Sequence, residues 1–175
     1  RGIPFKNSLI TDPVRQEYPW RFLSVSQLKQ FSLPIWNPYS FSGTPLLGNF
    51  QSVVFYPFNI VFFLMSFSSA WTILIVLQFL LSGLFMYIYL RNIHIQKIPS
   101  LLGSIVFIFC GFSVSWMEWN TIVQTGLWLP LILFSIDKTI TNYQLLITNY
   151  TWYFLFVLSL VCSFFAGHLQ TFFYV

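Results

Sequence analysis

Charged side chains are scarce in this sequence: 8 Lys+Arg and 4 Asp+Glu among 175 residues, or 7%. An ordinary soluble domain is about a quarter charged. None falls between Lys29 and Arg91, and Ile98–Met117, Trp119–Ile136 and Thr139–Val175 are also uncharged. A soluble chain of this size has too little core to hide such segments on every face. Cysteine is almost as rare. Cys110 and Cys162 both lie in apolar runs, where Cys behaves as a small hydrophobe, and two such residues point to neither a disulfide framework nor a zinc site. A Gly-rich phosphate loop, HExxH and CxxC are all missing, so the usual soluble-enzyme signatures are absent. The basic excess, a net charge of +4, is dispersed along the chain. Without a Lys/Arg cluster to track phosphates, no nucleic-acid partner is expected.

What the sequence does have is apolar length, with 57% hydrophobic residues. A helix rises about 1.5 Å per residue, so roughly 20 apolar residues cross a hydrocarbon core of about 30 Å. Trp71–Leu90, WTILIVLQFLLSGLFMYIYL, meets that requirement without a charge. The expected fold class is an all-α integral membrane protein, a polytopic helix bundle. Residues 69–175 hold four expected spans, at 69–90, 99–117, 121–137 and 151–171. Pro130 should kink the third, and Gly83, Gly103 and Gly111 suit close helix packing. Residues 53–68 are apolar but short and interrupted by Pro57, which suggests a re-entrant or interfacial segment.

Residues 1–52 differ in kind, carrying five of the eight basic residues (Arg1, Lys6, Arg15, Arg21 and Lys29) with Asp12 and Glu17. They read as a large non-spanning loop at the membrane surface with short interfacial helices. Asp12-Pro13 has the form of a helix start, a capping carboxylate before Pro at the first helical position. Pro19 should interrupt that helix. Trp20–Phe31 then reads as a short interfacial helix with Val25, Leu28 and Phe31 on its apolar side. Beyond it, Pro34, Pro38, Gly43, Pro45 and Gly48 leave no room for a regular element before Val53. Charge alone leaves orientation open. The short loops Arg91–Lys97 and Lys138–Tyr150 share one side with three basic residues, against the five of residues 1–52.

The acids are Asp12, Glu17, Glu118 and Asp137. With residues 1–52 outside, Asp12, Glu17 and Glu118 gather at the outer face together with His168 and Gln170, as a membrane-surface active site would require. Each has a plainer reading too. Asp12 caps a helix, Glu118 is a loop carboxylate between interfacial Trp anchors, and His168 is a hydrogen-bonded packing residue. Trp36, Tyr39 and Tyr56, aromatics in a stretch rich in Asn and Gln, invite stacking on a sugar.

The ordered strings ITDPVRQEYPWRF, LPIWNPYSFSGTPLLGNFQSVVFYPFN and AGHLQTFFY resemble the YfhO-like bacterial membrane proteins, within the superfamily of polytopic glycosyltransferases of GT-C fold. The resemblance covers residues 9–59, with support from 166–174. It implies an N-terminal fragment lacking the first transmembrane helix, in the bacterial plasma membrane, with residues 1–52 extracytoplasmic. The opening on Arg1 and the close inside an apolar run carry the same expectation of two cut ends. It implies an inverting glycosyltransferase that uses a polyprenyl-phosphate-linked sugar and a cell-envelope glycan or lipid acceptor, with membrane lipid around it. Asp12 would be the catalytic base, and Arg15, Arg21 or Lys29 would offset charge on the departing phosphate. A divalent metal (Mg or Mn) held by Asp12 and Glu17 is another way to do so. Trp36, Asn37, Tyr39, Asn49, Gln51, Tyr56, Glu118, His168 and Gln170 would contact sugar or acceptor. A transporter or flippase of lipid-linked intermediates and a non-catalytic membrane scaffold are the competing readings. Transport predicts ionisable groups deep in the spans, and only His168 comes close.

Overall fold

The computed structural model describes residues 11–141 and 146–175. Arg1 and Lys6, and part of the loop expected at 138–150, lie outside them. The described chain is mostly helical. A π-helical turn at Pro13–Glu17 runs directly into α1 (Tyr18–Lys29). Pro19 does not interrupt: helical backbone runs on from the π-helical turn into α1, and Pro19 sits just after their junction. Asp12 occupies the cap position, but with helical backbone angles and no side-chain capping bond. The buried side of α1 also differs from the expected one. Glu17, Arg21, Ser24 and Val25 face inward, whereas Phe31 lies beyond the helix end, fully exposed and left-handed at φ 56°.

The Pro- and Gly-rich stretch contains a two-residue antiparallel pair, β1 (Trp36–Asn37) and β2 (Thr44–Pro45), with Trp36 opposite Pro45 and Asn37 opposite Thr44. Gly43, at φ +118°, lets the turn close over the Trp36 ring, because a Cβ there would lie 2.5 Å from that ring. Two 3-10 turns follow, Phe50–Ser52 and Pro57–Ile60, then the short α2 (Val61–Leu64).

The long apolar helix α3 spans Phe67–Asn92, and the Ser66 hydroxyl accepts a 3.3 Å bond from the Ser69 N–H at its start. After a turn, the chain returns through Lys97–Trp119 as α4 (Lys97–Ile108), α5 (Gly111–Trp116) and a 3-10 turn at Met117–Trp119. These two stretches are long and apolar enough to cross a membrane, and only 22% and 17% of their most apolar windows are buried within the protein. A core helix of a soluble protein would be mostly covered. The other two expected spans are divided. One is α6 (Ile122–Gly126) followed by α7 (Leu129–Thr141), with the break just before Pro130. The other is α8 (Leu146–Phe165), a turn at Gly167, and α9 (Leu169–Tyr174).

α3 packs on α4 and α7, and α7 packs on α8. Small residues make the first contact close. Ser100 and Ser104 are buried, and Gly83 and Gly103 receive Ile108 and Leu90. One apolar core gathers Phe85, Leu127, Trp128, Leu131 and Cys162 around Val53 and Tyr56. A second gathers Val25, Phe62, Ala70 and Leu74 under α1. Polar side chains adjoin both cores and position the site.

Candidate functional site

Glu17 and Arg21, four residues apart, share the inward side of the first helical segment, and both are buried. Arg21 Nη2 donates to the Asn120 carbonyl at 3.0 Å, and the guanidinium carbon lies 5.0 Å from the Trp71 ring centroid and 5.9 Å from that of Phe62. Asn120 is left-handed at φ 54°, a conformation Asn tolerates well. Its side chain donates to the Trp71 carbonyl at 3.2 Å and accepts from Gln124 Nε2 at 2.7 Å. Gln78 Nε2 donates to the Met117 carbonyl at 2.9 Å, and Thr121 Oγ1 donates to Glu17 Oε1 at 3.3 Å. The turn at 117–121 is therefore held by α1, α3 and α6 together. Burial pushes the Glu17 carboxyl up to about 8, against the pull of the Arg21 charge and the Thr121 bond. At neutral pH Glu17 is mainly a protonated acid. Burial also brings Arg21 down to about 10, opposed by the Glu17 charge, so Arg21 remains a cation.

The braced turn forms one wall of a cavity of about 530 Å³. Trp116 and Trp119, edge to face with ring centroids 5.0 Å apart, line it with Phe107 and Phe112. Gln51, His168 and Gln170 also line it. His168 Nδ1 accepts the Thr171 N–H at 3.2 Å, which leaves the proton of the neutral ring on Nε2. Gly167, at φ +97°, brings this turn against Val53 and Thr121, where a Cβ would lie 2.6 Å from Val53 Cγ2.

A second hollow, a surface groove of about 720 Å³, lies between α1 and the β1–β2 turn. Arg15, Phe22, Gln27, Gln30, Asn37 and Tyr39 line it, and among the described residues no acidic side chain does. Asn37 builds the wall. Buried, it accepts from the Tyr39 N–H at 3.0 Å and donates to Ser40 Oγ at 3.1 Å. Tyr39, 84% exposed, offers its ring.

The residues expected to contact donor and acceptor thus fall into two groups, Arg15, Asn37 and Tyr39 in the groove and Gln51, His168 and Gln170 in the cavity. The others line neither. Asp12 is exposed one turn before Arg15, where it accepts a 3.4 Å bond from Gln16 Nε2. Lys29 holds its ammonium 5.8 Å from the Phe63 ring centroid. Trp36 packs over Gly43, and Asn49 caps a 3-10 turn by accepting from the Gln51 N–H at 3.2 Å. Tyr56 is core, and Glu118 is half-buried in the braced turn. Arg21 is committed to the Asn120 carbonyl. Among the described residues no group of three His, Cys, Asp or Glu side chains gathers around a common point, so Asp12 and Glu17 have no third such ligand beside them.

Sequence reasoning missed Gln78, Asn120, Thr121 and Gln124, and it read Trp116 and Trp119 only as interfacial anchors. The density of polar residues in Asn120–Thr125, NTIVQT, inside an apolar region was the available signal. Comparison with protein families, with curated proteins and with solved structures yields no match.

Proposed function

We propose that this chain is part of a multi-pass membrane glycosyltransferase of GT-C type, YfhO-like, in the bacterial plasma membrane. It would transfer a sugar from a polyprenyl-phosphate donor to a cell-envelope acceptor at the outer face. The carrying observation is the groove, where a cation, an exposed aromatic ring and amide side chains converge with no acidic residue among the described residues that line it. A sugar phosphate requires that set: charge for the phosphate, a ring for the sugar face, and amides for its hydroxyls.

In the proposed step the acceptor oxygen bonds to the anomeric carbon while the bond from that carbon to the phosphate oxygen breaks. The electron pair leaves with the phosphate, whose growing charge Arg15 offsets. The acceptor proton passes to Asp12, an exposed carboxylate that lies outside the groove lining, one turn before Arg15. Glu17, as a buried protonated acid, is unsuited to that role.

The test is transfer of labelled sugar from a polyprenyl-phosphate donor by the full-length protein in membranes. Loss of transfer in Asp12→Asn, and a KM for donor raised about tenfold in Arg15→Gln, are expected. Unchanged transfer in both variants would overturn the assignment. Absence of transfer from the wild type, across varied donor sugars, would favour a flippase or a scaffold.

A further inference from the structure

We infer that the 530 Å³ cavity is a binding site for an uncharged amphiphile, an apolar chain bearing a neutral hydroxyl-rich head, separate from the groove. The inference goes beyond sugar transfer, because occupancy of the cavity can be measured without turnover.

The lining is chemically divided. Phe107 and Phe112, on the stretch able to cross a membrane, supply an apolar wall with Trp116. Gln51, His168 and Gln170 supply the hydrogen-bonding groups. Among the described residues no Lys, Arg, Asp or Glu lines the cavity, although a cation lines the groove. A phosphate or carboxylate head entering the cavity would find no partner charge to offset the hydration it gives up, which is costly. A neutral glycerol or sugar head would lose less and recover it through the amides and the imidazole. The volume lies within the ~300–1,000 Å³ common for small-molecule sites.

The cavity is also built to persist. Its Trp119 belongs to the turn that Arg21, Gln78 and Thr121 brace, with Trp116 packed edge to face against it from the end of α5, and the His168 turn is seated on Val53 through Gly167. A ligand therefore meets a preformed site, which lowers the ordering cost of binding.

The experiment uses delipidated full-length protein in detergent and native mass spectrometry, with monoolein and oleate as probes of equal chain length. One monoolein should be retained per protein, with oleate about tenfold weaker. Gly126→Leu should abolish retention, since a Cβ at this position already meets the Phe112 ring at 3.3 Å and a larger side chain enters the cavity. Gln170→Ala, an exposed and structurally mild change, should weaken monoolein several-fold. Arg15→Gln in the groove should leave retention unchanged. The inference is overturned if the wild type retains no monoolein, if oleate binds as well, or if Gly126→Leu and Gln170→Ala both retain monoolein as the wild type does.

Discussion

Arg21 and Asn120, 99 residues apart in sequence, are joined by a 3.0 Å bond from the guanidinium to the backbone carbonyl. Through it, the surface helix α1 holds the turn that walls the cavity. A cation with no exposed surface, set against two aromatic faces, is costly to bury and costly to remove, because its absence leaves the Asn120 carbonyl without that donor.

Arg21→Ala should therefore lower stability by about 1–3 kcal/mol, the cost of leaving a buried acceptor unpaired. Arg21→Lys should recover little of it, since an ammonium cannot reproduce the planar guanidinium over Trp71. Thermal unfolding of the purified protein in detergent checks both. A loss below about 0.5 kcal/mol in Arg21→Ala, the range of an ordinary surface substitution, would refute the latch.

Glu17 makes stability depend on pH. Its folded value, about 8, lies above the ordinary 4.5, so the folded state holds the proton more tightly. Its stabilising contribution is fully present below about 4.5 and is lost as pH rises through about 8. The expected slope for this group is a loss of about 1.4 kcal/mol per pH unit within that window. Unfolding midpoints from pH 5 to 9 should fall in the wild type and flatten in Glu17→Gln. Parallel curves for the two proteins would contradict the burial of the carboxyl.

Gly167 is constrained twice, by φ +97° and by the approach of Val53. Gly167→Ala should cost about 1–3 kcal/mol and disturb the His168 turn. The same melting assay, with proteolysis of the segment after Phe165, reports it. No change in either would mean that Val53 yields freely.

Topology is open to direct labelling. If α3 crosses the bilayer, single cysteines at Ser66 and His94, placed in a Cys110→Ser, Cys162→Ser background, should react with an impermeant maleimide from opposite sides. Under the proposed orientation Ser66 should label from outside intact cells, and His94 only after permeabilisation. Labelling of both from one side would remove the crossing.

Much of the helical plan was legible because the length and apolarity of a segment are written into local composition. The uncharged run at 69–90 became Phe67–Asn92, and the run at 99–117 became Lys97–Trp119. The spans expected at 121–137 and 151–171 divide at Gly126–Leu129 and at Gly167, where packing against α8 and Val53 overrides a continuous apolar pattern. Pro19 does not end the helix, because the wider π-helical turn at Pro13–Glu17 lies directly before it, where a regular α-helical turn would set a carbonyl against its ring.

By itself the sequence determined that the chain is mostly helical, that two stretches have the length and apolarity to cross a membrane, and that charge within them is confined to their ends, at Arg91, Lys97 and Glu118. These properties follow from residue type and spacing along one segment. Only the tertiary structure decided that Glu17 and Arg21 are buried, that Arg15 and Tyr39 share one groove, and that Trp119 and His168 share one cavity. Those relationships join residues 24 to 104 positions apart. No local periodicity encodes them, because each depends on which helices pack together and on where buried polar atoms find partners.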